Sequence, residues 1–125
     1  MGYVVTKVEL SNPRQPERRP IVVDARADTG SMMLCVPDDL ARRLDVELES
    51  MRNVEVADGR RASVPYVGPV QVRFGNRTCF VGALVMGNEV LLGAVPMEDM
   101  DLVVNPNLGT VTVNPASPDT PLYRA

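Results

Sequence analysis

Strand signals in this chain are short, and nearly every one ends at a proline or at a pair of turn-forming residues. Eleven prolines and nine glycines are spread over 125 residues, a pattern that favours brief strands over long helices. Asp58-Gly59 and Gly75-Asn76 each lie between two apolar runs and read as two-residue hairpin turns, joining residues 53–57 to 61–66 and residues 70–74 to 78–85. Residues 3–10 alternate, with Val4, Thr6, Val8 and Leu10 on one side and Val5, Lys7 and Glu9 on the other, so the first set is the expected inner face.

Residues 11–20 carry three prolines and several charges and are expected to form a solvated connection. A second strand follows over 21–27, and residues 33–36 continue extended. Pro37-Asp38-Asp39 opens a short helix to about Leu44, because proline suits the first turn and acids there complement the helix dipole. Residues 89–92 form a short strand ending at Gly93, residues 96–100 one helical turn, and residues 102–104 and 110–113 the closing strands around Asn107-Leu108-Gly109. The whole chain, 1–125, is expected to be one all-β domain with one or two short helices, and its proline-rich tail, 114–125, to be irregular or loose.

Thirteen basic and sixteen acidic residues leave a net charge of −3, with no basic block beyond three arginine pairs. Nucleic acid is therefore not an expected partner. The absence of histidine excludes Ser-His-Asp and Cys-His machinery and any histidine-ligated metal. Cys35 and Cys79 lie in apolar runs at a spacing unlike a metal knuckle, and read as reduced, buried thiols in a cytoplasmic protein. No apolar segment has the pattern of a signal peptide or the length of a membrane span, so no membrane partner is expected. No glycine-rich phosphate loop follows a strand. Carboxylate chemistry remains.

The candidate is Asp28-Thr29-Gly30-Ser31, which follows the second strand and occurs once. With the later apolar-apolar-glycine element Val90-Leu91-Leu92-Gly93, and the hairpin around Asp58-Gly59 between them, it resembles the retropepsin-like aspartic proteases over residues 3–115, and the run from Pro96-Met97-Glu98 to Asn105-Pro106 looks most like their small stand-alone prokaryotic members. The resemblance implies a closed β-barrel of six to eight strands and a homodimer, because one such loop supplies only half of a two-carboxylate site. It implies an endopeptidase acting on a peptide or protein substrate, without metal or cofactor. Asp28 from each copy would form the dyad, two carboxylates sharing one proton. Thr29 would hydrogen-bond across the axis, Gly30 would permit close approach, and Ser31 would donate to the outer oxygen of Asp28. Asp58 and Gly59 would tip a flap over the substrate, or serve only as a tight turn.

The pattern also departs from the family. Arg26-Ala27 replaces two apolar residues, and strand parity puts Asp24, Arg26 and Asp28 on one side. Three arrangements of Arg26 are open: pairing with Asp24, lining the cleft to receive an acidic substrate side chain, or pairing with Asp28 itself. Met32, Met33 and Ala94 stand where retroviral members carry an ion pair, so an apolar contact is expected there. Val90, Leu91, Leu92, Cys79 and Met86 are expected in the core. Two further readings keep the same dimer: a non-catalytic module that holds an extended peptide, and a structural or assembly protein.

Overall fold

The alternation that begins at Val4 becomes the first strand of a barrel. In the computed structural model, which describes residues 3–125, β1 (Val4–Ser11) buries Val4, Val8 and Leu10 and turns Val5 and Lys7 to solvent. The other elements, in chain order, are β2 (Ile21–Ala27), β3 (Leu34–Val36), α1 (Asp38–Leu44), β4 (Glu47–Glu55), β5 (Arg61–Phe74), β6 (Arg77–Val85), β7 (Val90–Leu92), α2 (Ala94–Asp99), β8 (Leu102–Asn105) and β9 (Thr110–Val113).

Six strands close a ring in the order β1-β2-β7-β3-β6-β5, and β5 returns to β1 with Glu9 opposite Arg73 and Ser11 opposite Gln71. Closure leaves no free edge inside the ring. Its interior is filled by Leu10, Leu34, Val36, Val70, Val72 and Leu92, none of them accessible to solvent, and each such side chain contributes about 1.5–3 kcal/mol relative to exposure. The short strand β7 lies between β2, to which it is parallel, and β3, to which it is antiparallel. The chain leaving β2 must therefore cross the end of β7 to reach β3.

β4 and the first half of β5 form a long hairpin outside the ring, with Glu47 opposite Gly68 and Glu55 opposite Arg61. Among the described residues β4 pairs with β5 alone, so one of its edges is free of them. The expected break between residues 66 and 70 is absent, and β5 runs unbroken through Pro65 and Pro69. Proline lacks the N–H that a central strand needs. Pro65 escapes this because β6 pairs with β5 only from Tyr66 onward, and Pro69 sits where the β5–β6 register shifts between Val67 and Val70. The tip is also longer than a two-residue turn. Gly59 N–H donates to Val56 O at 2.9 Å, Val56 N–H donates to Arg60 O at 2.9 Å, and Gly59 has φ +85°, the pattern of a turn followed by a glycine bulge.

The helix over Asp38–Leu44 starts at Pro37 and buries Leu40, Ala41 and Leu44. It ends on Asp45 in the left-handed conformation, a place usually taken by glycine. The connection 11–20 holds that end. Asn12, 5% exposed, donates through Nδ2 to Leu44 O at 3.1 Å and Asp45 O at 3.0 Å, and Gln15 Nε2 donates to the Asp45 carboxylate at 2.9 Å. The connection is thus packed at Asn12 rather than fully solvated.

β8 and β9 form a separate two-stranded sheet, with Leu102 opposite Val113. The tail beyond it has no regular structure but is tied down. Arg77, wholly buried, donates through Nε to Met100 O at 2.9 Å and through Nη2 to Ser117 O. The Asp101 carboxylate accepts from Ser117 Oγ at 2.6 Å, Leu122 N–H at 3.0 Å and Asn114 Nδ2 at 3.1 Å. Those bonds, led by that from Ser117, hold the Asp101 carboxyl below its ordinary value of 3.8. A carboxyl whose pKa falls on folding stabilises the folded form above its unfolded value and loses that contribution as pH drops through the folded one. Tail docking should therefore weaken below pH 3.8. Amide exchange at Leu122, corrected for intrinsic rate and followed from about pH 6 to about pH 2, should accelerate at the acid end, and Asp101→Asn should flatten that response.

Candidate active site

Residues 28–33 cross the end of β7, and backbone hydrogen bonds fix them there. Asp28 N–H donates to Leu92 O at 3.0 Å, and Ser31 N–H closes a turn onto Asp28 O at 3.1 Å. The next two carbonyls serve a second purpose. Ala94 N–H donates to Ser31 O at 2.8 Å and Val95 N–H to Met32 O at 2.9 Å, so the loop caps the start of α2, whose own N-cap, Gly93, offers no side chain. These main-chain bonds stand where an apolar contact among Met32, Met33 and Ala94 was expected.

Gly93 is required by the crossing. A Cβ there would lie 2.4 Å from Met33 O, 2.6 Å from Met32 C and 2.7 Å from Met33 N, all main-chain atoms that cannot yield without moving the loop. Gly30 is milder: its Cβ would meet Asp28 Oδ1 at 3.3 Å, and its N–H donates to that same oxygen at 3.0 Å. The glycine thus lets the main chain approach the carboxylate closely.

Asp28 is half-buried, Thr29 and Gly30 are exposed, and Met32 is 67% exposed on the same rim. Among the described residues the Asp28 carboxylate accepts from the Gly30 N–H, and no hydrogen bond joins it to the Ser31 hydroxyl. Cys35 is buried beside this loop, and its thiol pKa is raised mainly by burial, with the Ser31 side chain pulling it down and the Asp28 charge pushing it up. Burial, assisted by Asp99, pushes the Cys79 thiol to about 12, an inert core cysteine.

Asp28 opens into a groove of about 800 Å³. Arg26, Gly30, Ser31, Cys35, Leu91 and Met86 contribute to its floor, and residues 52–57 of β4 and the turn beyond it form the roof. Asp58 and Gly59 do not line it: the Asp58 carboxylate is turned to Arg60, at 2.6 Å from Nε. Leu91 and Met86, expected in the core, are half-buried and face the groove instead. Strand parity explains Leu91, because Val90 and Leu92 on either side of it take the inner positions.

Arg26 does not take Asp24, which pairs with Lys7 at 2.8 Å. Its Nη1 lies 3.1 Å from Glu89, and its guanidinium stacks 4.2 Å above the Tyr3 ring. Arg52, on the roof, has a matching arrangement that the sequence did not disclose. It stacks 4.0 Å above Tyr66, with Nε donating to Ser50 Oγ at 3.1 Å and Nη2 to Glu49 at 3.5 Å. The Ser50 hydroxyl, and after it Arg52, hold the Glu49 carboxyl below its usual value. Among the described residues no cluster of three His, Cys, Asp or Glu side chains forms that could hold a metal ion, and no helix is long and apolar enough to cross a membrane.

The two glycines should separate in mutagenesis. Gly93→Ala should lower unfolding free energy by on the order of 3 kcal/mol, read as a shift in urea midpoint, whereas Gly30→Ala should leave that midpoint nearly unchanged. Equal midpoints for the two variants would show that the crossing tolerates a Cβ.

No protein-family model matches the chain, and no curated protein matches it. Among solved structures, the retroviral protease-like domain of Ddi1 from Leishmania major superposes with a TM-score of 0.56 at 14% identity, over 90% of this chain and 90% of that one. A retropepsin-like aspartic protease from Rickettsia conorii gives a TM-score of 0.48 at 14% identity, over 84% and 89%. The simian foamy virus protease gives 0.46 at 16% identity, over 74% and 91%. The ring closure, the loop crossing β7 and the Leishmania superposition together identify the fold as retropepsin-like, an all-β closed barrel of six strands with two short helices.

Proposed function

We propose that this chain is one half of an aspartic endopeptidase, in which two copies meet so that each contributes one Asp28. The observation that carries this reading is the placement of Asp28. It is held by the Gly30 N–H at the floor of a groove open to an extended chain. Among the described residues no cation pairs with it, since Arg26 is engaged by Glu89. A carboxylate so presented is free to face a second one. Two carboxylates within hydrogen-bonding distance share a proton, so one draws a proton from water while the other donates to the peptide carbonyl oxygen. Water attacks the carbonyl carbon directly, and no covalent enzyme intermediate forms.

Support for a partner copy comes from the rim, where Thr29, Gly30 and Met32 are exposed together. A two-fold arrangement would bring like residues against like and cover them. Substrate would enter as an extended peptide, pairing its main chain along the hairpin roof while alternate side chains fill the groove. The fold resemblance to the Leishmania domain agrees with this chemistry. Free Cys35 and Cys79 suit a cytoplasmic setting.

Sedimentation and cleavage of a mixed peptide library test the reading together. The wild-type chain should sediment as a dimer and cut peptides, and Asp28→Asn should keep the dimer while losing about 10²–10⁴-fold in rate. A monomer at assay concentration would remove the shared site, and peptide affinity without cleavage by either protein would leave a binding module.

A further inference from the structure

The groove beside Asp28 has a mixed lining, with Met32, Met33, Leu84, Met86 and Leu91 supplying its apolar walls. Its charged lining consists of Asp28, Arg26, Arg52 and Glu55. Glu55 is already balanced by Arg61 at 3.5 Å. The two arginines are different, because both are prepared in the same way although they come from opposite walls. Each lies on a tyrosine face, at 4.2 Å for Arg26 on Tyr3 and 4.0 Å for Arg52 on Tyr66. Each is backed by a glutamate, Glu89 for Arg26 and Glu49 for Arg52.

Stacking fixes the plane of a guanidinium, and a carboxylate behind it fixes its rotation, so little side-chain entropy remains to be lost on binding. Donors remain as well. Arg26 uses Nη1 for Glu89, and Arg52 uses Nε and Nη2 for Ser50 and Glu49, which leaves Nη2 of the first and Nη1 of the second for a ligand. Space beneath Tyr66 is provided by Gly82, where a Cβ would overlap the ring at 2.0 Å, so the roof arginine rests on a ring that is itself seated.

We infer that Arg26 and Arg52 are receptors for acidic side chains, and that the preferred ligand is an extended peptide in which apolar residues are flanked by Asp or Glu. This rests on the reading of the groove as a peptide site. Arg26 lies near the end of β2, two residues before Asp28, a separation of roughly 7 Å at strand rise, so the acidic residue belongs within about two positions of the bond held over Asp28. An arginine at both walls sets this groove apart from one that sorts side chains by apolar volume alone.

Fluorescence anisotropy on Asp28→Asn protein, which binds without turnover, separates this inference from the catalytic one. The probes are fluorescein-labelled ten-residue pools with a central stretch of mixed Leu, Met, Phe and Val and with Glu, Gln or Lys fixed at the flanking positions. Glu pools should bind about tenfold more tightly than Gln pools, and Lys pools more weakly still. Added to that background, Arg26→Gln and Arg52→Gln should each reduce the Glu preference, the double variant should abolish it, and circular dichroism should report unchanged strand content. Arg26→Lys keeps the charge and should retain only part of the preference, since the planar fork is lost. Equal affinity for Glu and Gln pools, including no binding of either, overturns the inference, as does a preference that survives the double variant. Tight Glu-pool binding with no cleavage by the wild-type chain leaves the inference standing and removes the peptidase.

Discussion

One strand crossing sets the conditions for everything else in the molecule. Because β7 is inserted between β2 and β3, the connection between those strands must pass over its end, and the passage is too close for any side chain at Gly93. The hydrogen bonds made there do two jobs at once. They fix the main chain on either side of Asp28, and they satisfy the first donors of α2 with the carbonyls of Ser31 and Met32. An acidic residue on a surface loop is ordinarily mobile. Here its main chain is tied to a strand below, to a helix beside it and to its own side chain through Gly30, so the carboxylate is oriented before any ligand arrives.

What could be read in the sequence and what could not follow from how each residue is recognised. β1 was legible because Val4, Val8 and Leu10 alternate against solvent. The helix at Asp38 was legible from Pro37 and the two acids after it. The Asp28 loop stood out because a turn residue, a hydroxyl and a glycine follow a strand. β4 before residue 53 left no such trace, since its residues are exposed on both faces apart from Ser50 and Val54, and a strand without an apolar side has no alternation to detect. The continuity of β5 was hidden by prolines that become acceptable only through the pairing pattern. Ser31 was assigned to the carboxylate by the family resemblance, and among the described residues the carboxylate accepts from the Gly30 N–H with no hydrogen bond from the Ser31 hydroxyl. The stacked arginines were invisible because each tyrosine, glutamate and arginine is ordinary alone and meaningful only after distant strands meet.

The groove illustrates how a small domain combines plasticity with direction. Methionines give its walls an adaptable apolar surface, while the two guanidiniums each lie over a ring and beside a carboxylate. Their backing glutamates also limit the net charge of the walls, so the arginines need not be neutralised by Asp28 itself. Away from the groove, the same economy appears in the tail. A wholly buried arginine and an aspartate with three donors anchor a segment that has no helix or strand of its own.

The unpaired margin of β4 carries a further implication. A hairpin with a free edge is a template for unwanted stacking with its own kind. Leu48 and Met51 are more than half exposed along it, which would favour that outcome. Glu47, Glu49, Arg52 and Glu55 punctuate the same strand, so copies laid side by side in register would bring like charges together. The charges that orient and balance the roof therefore also act as gatekeepers against fibrous self-assembly.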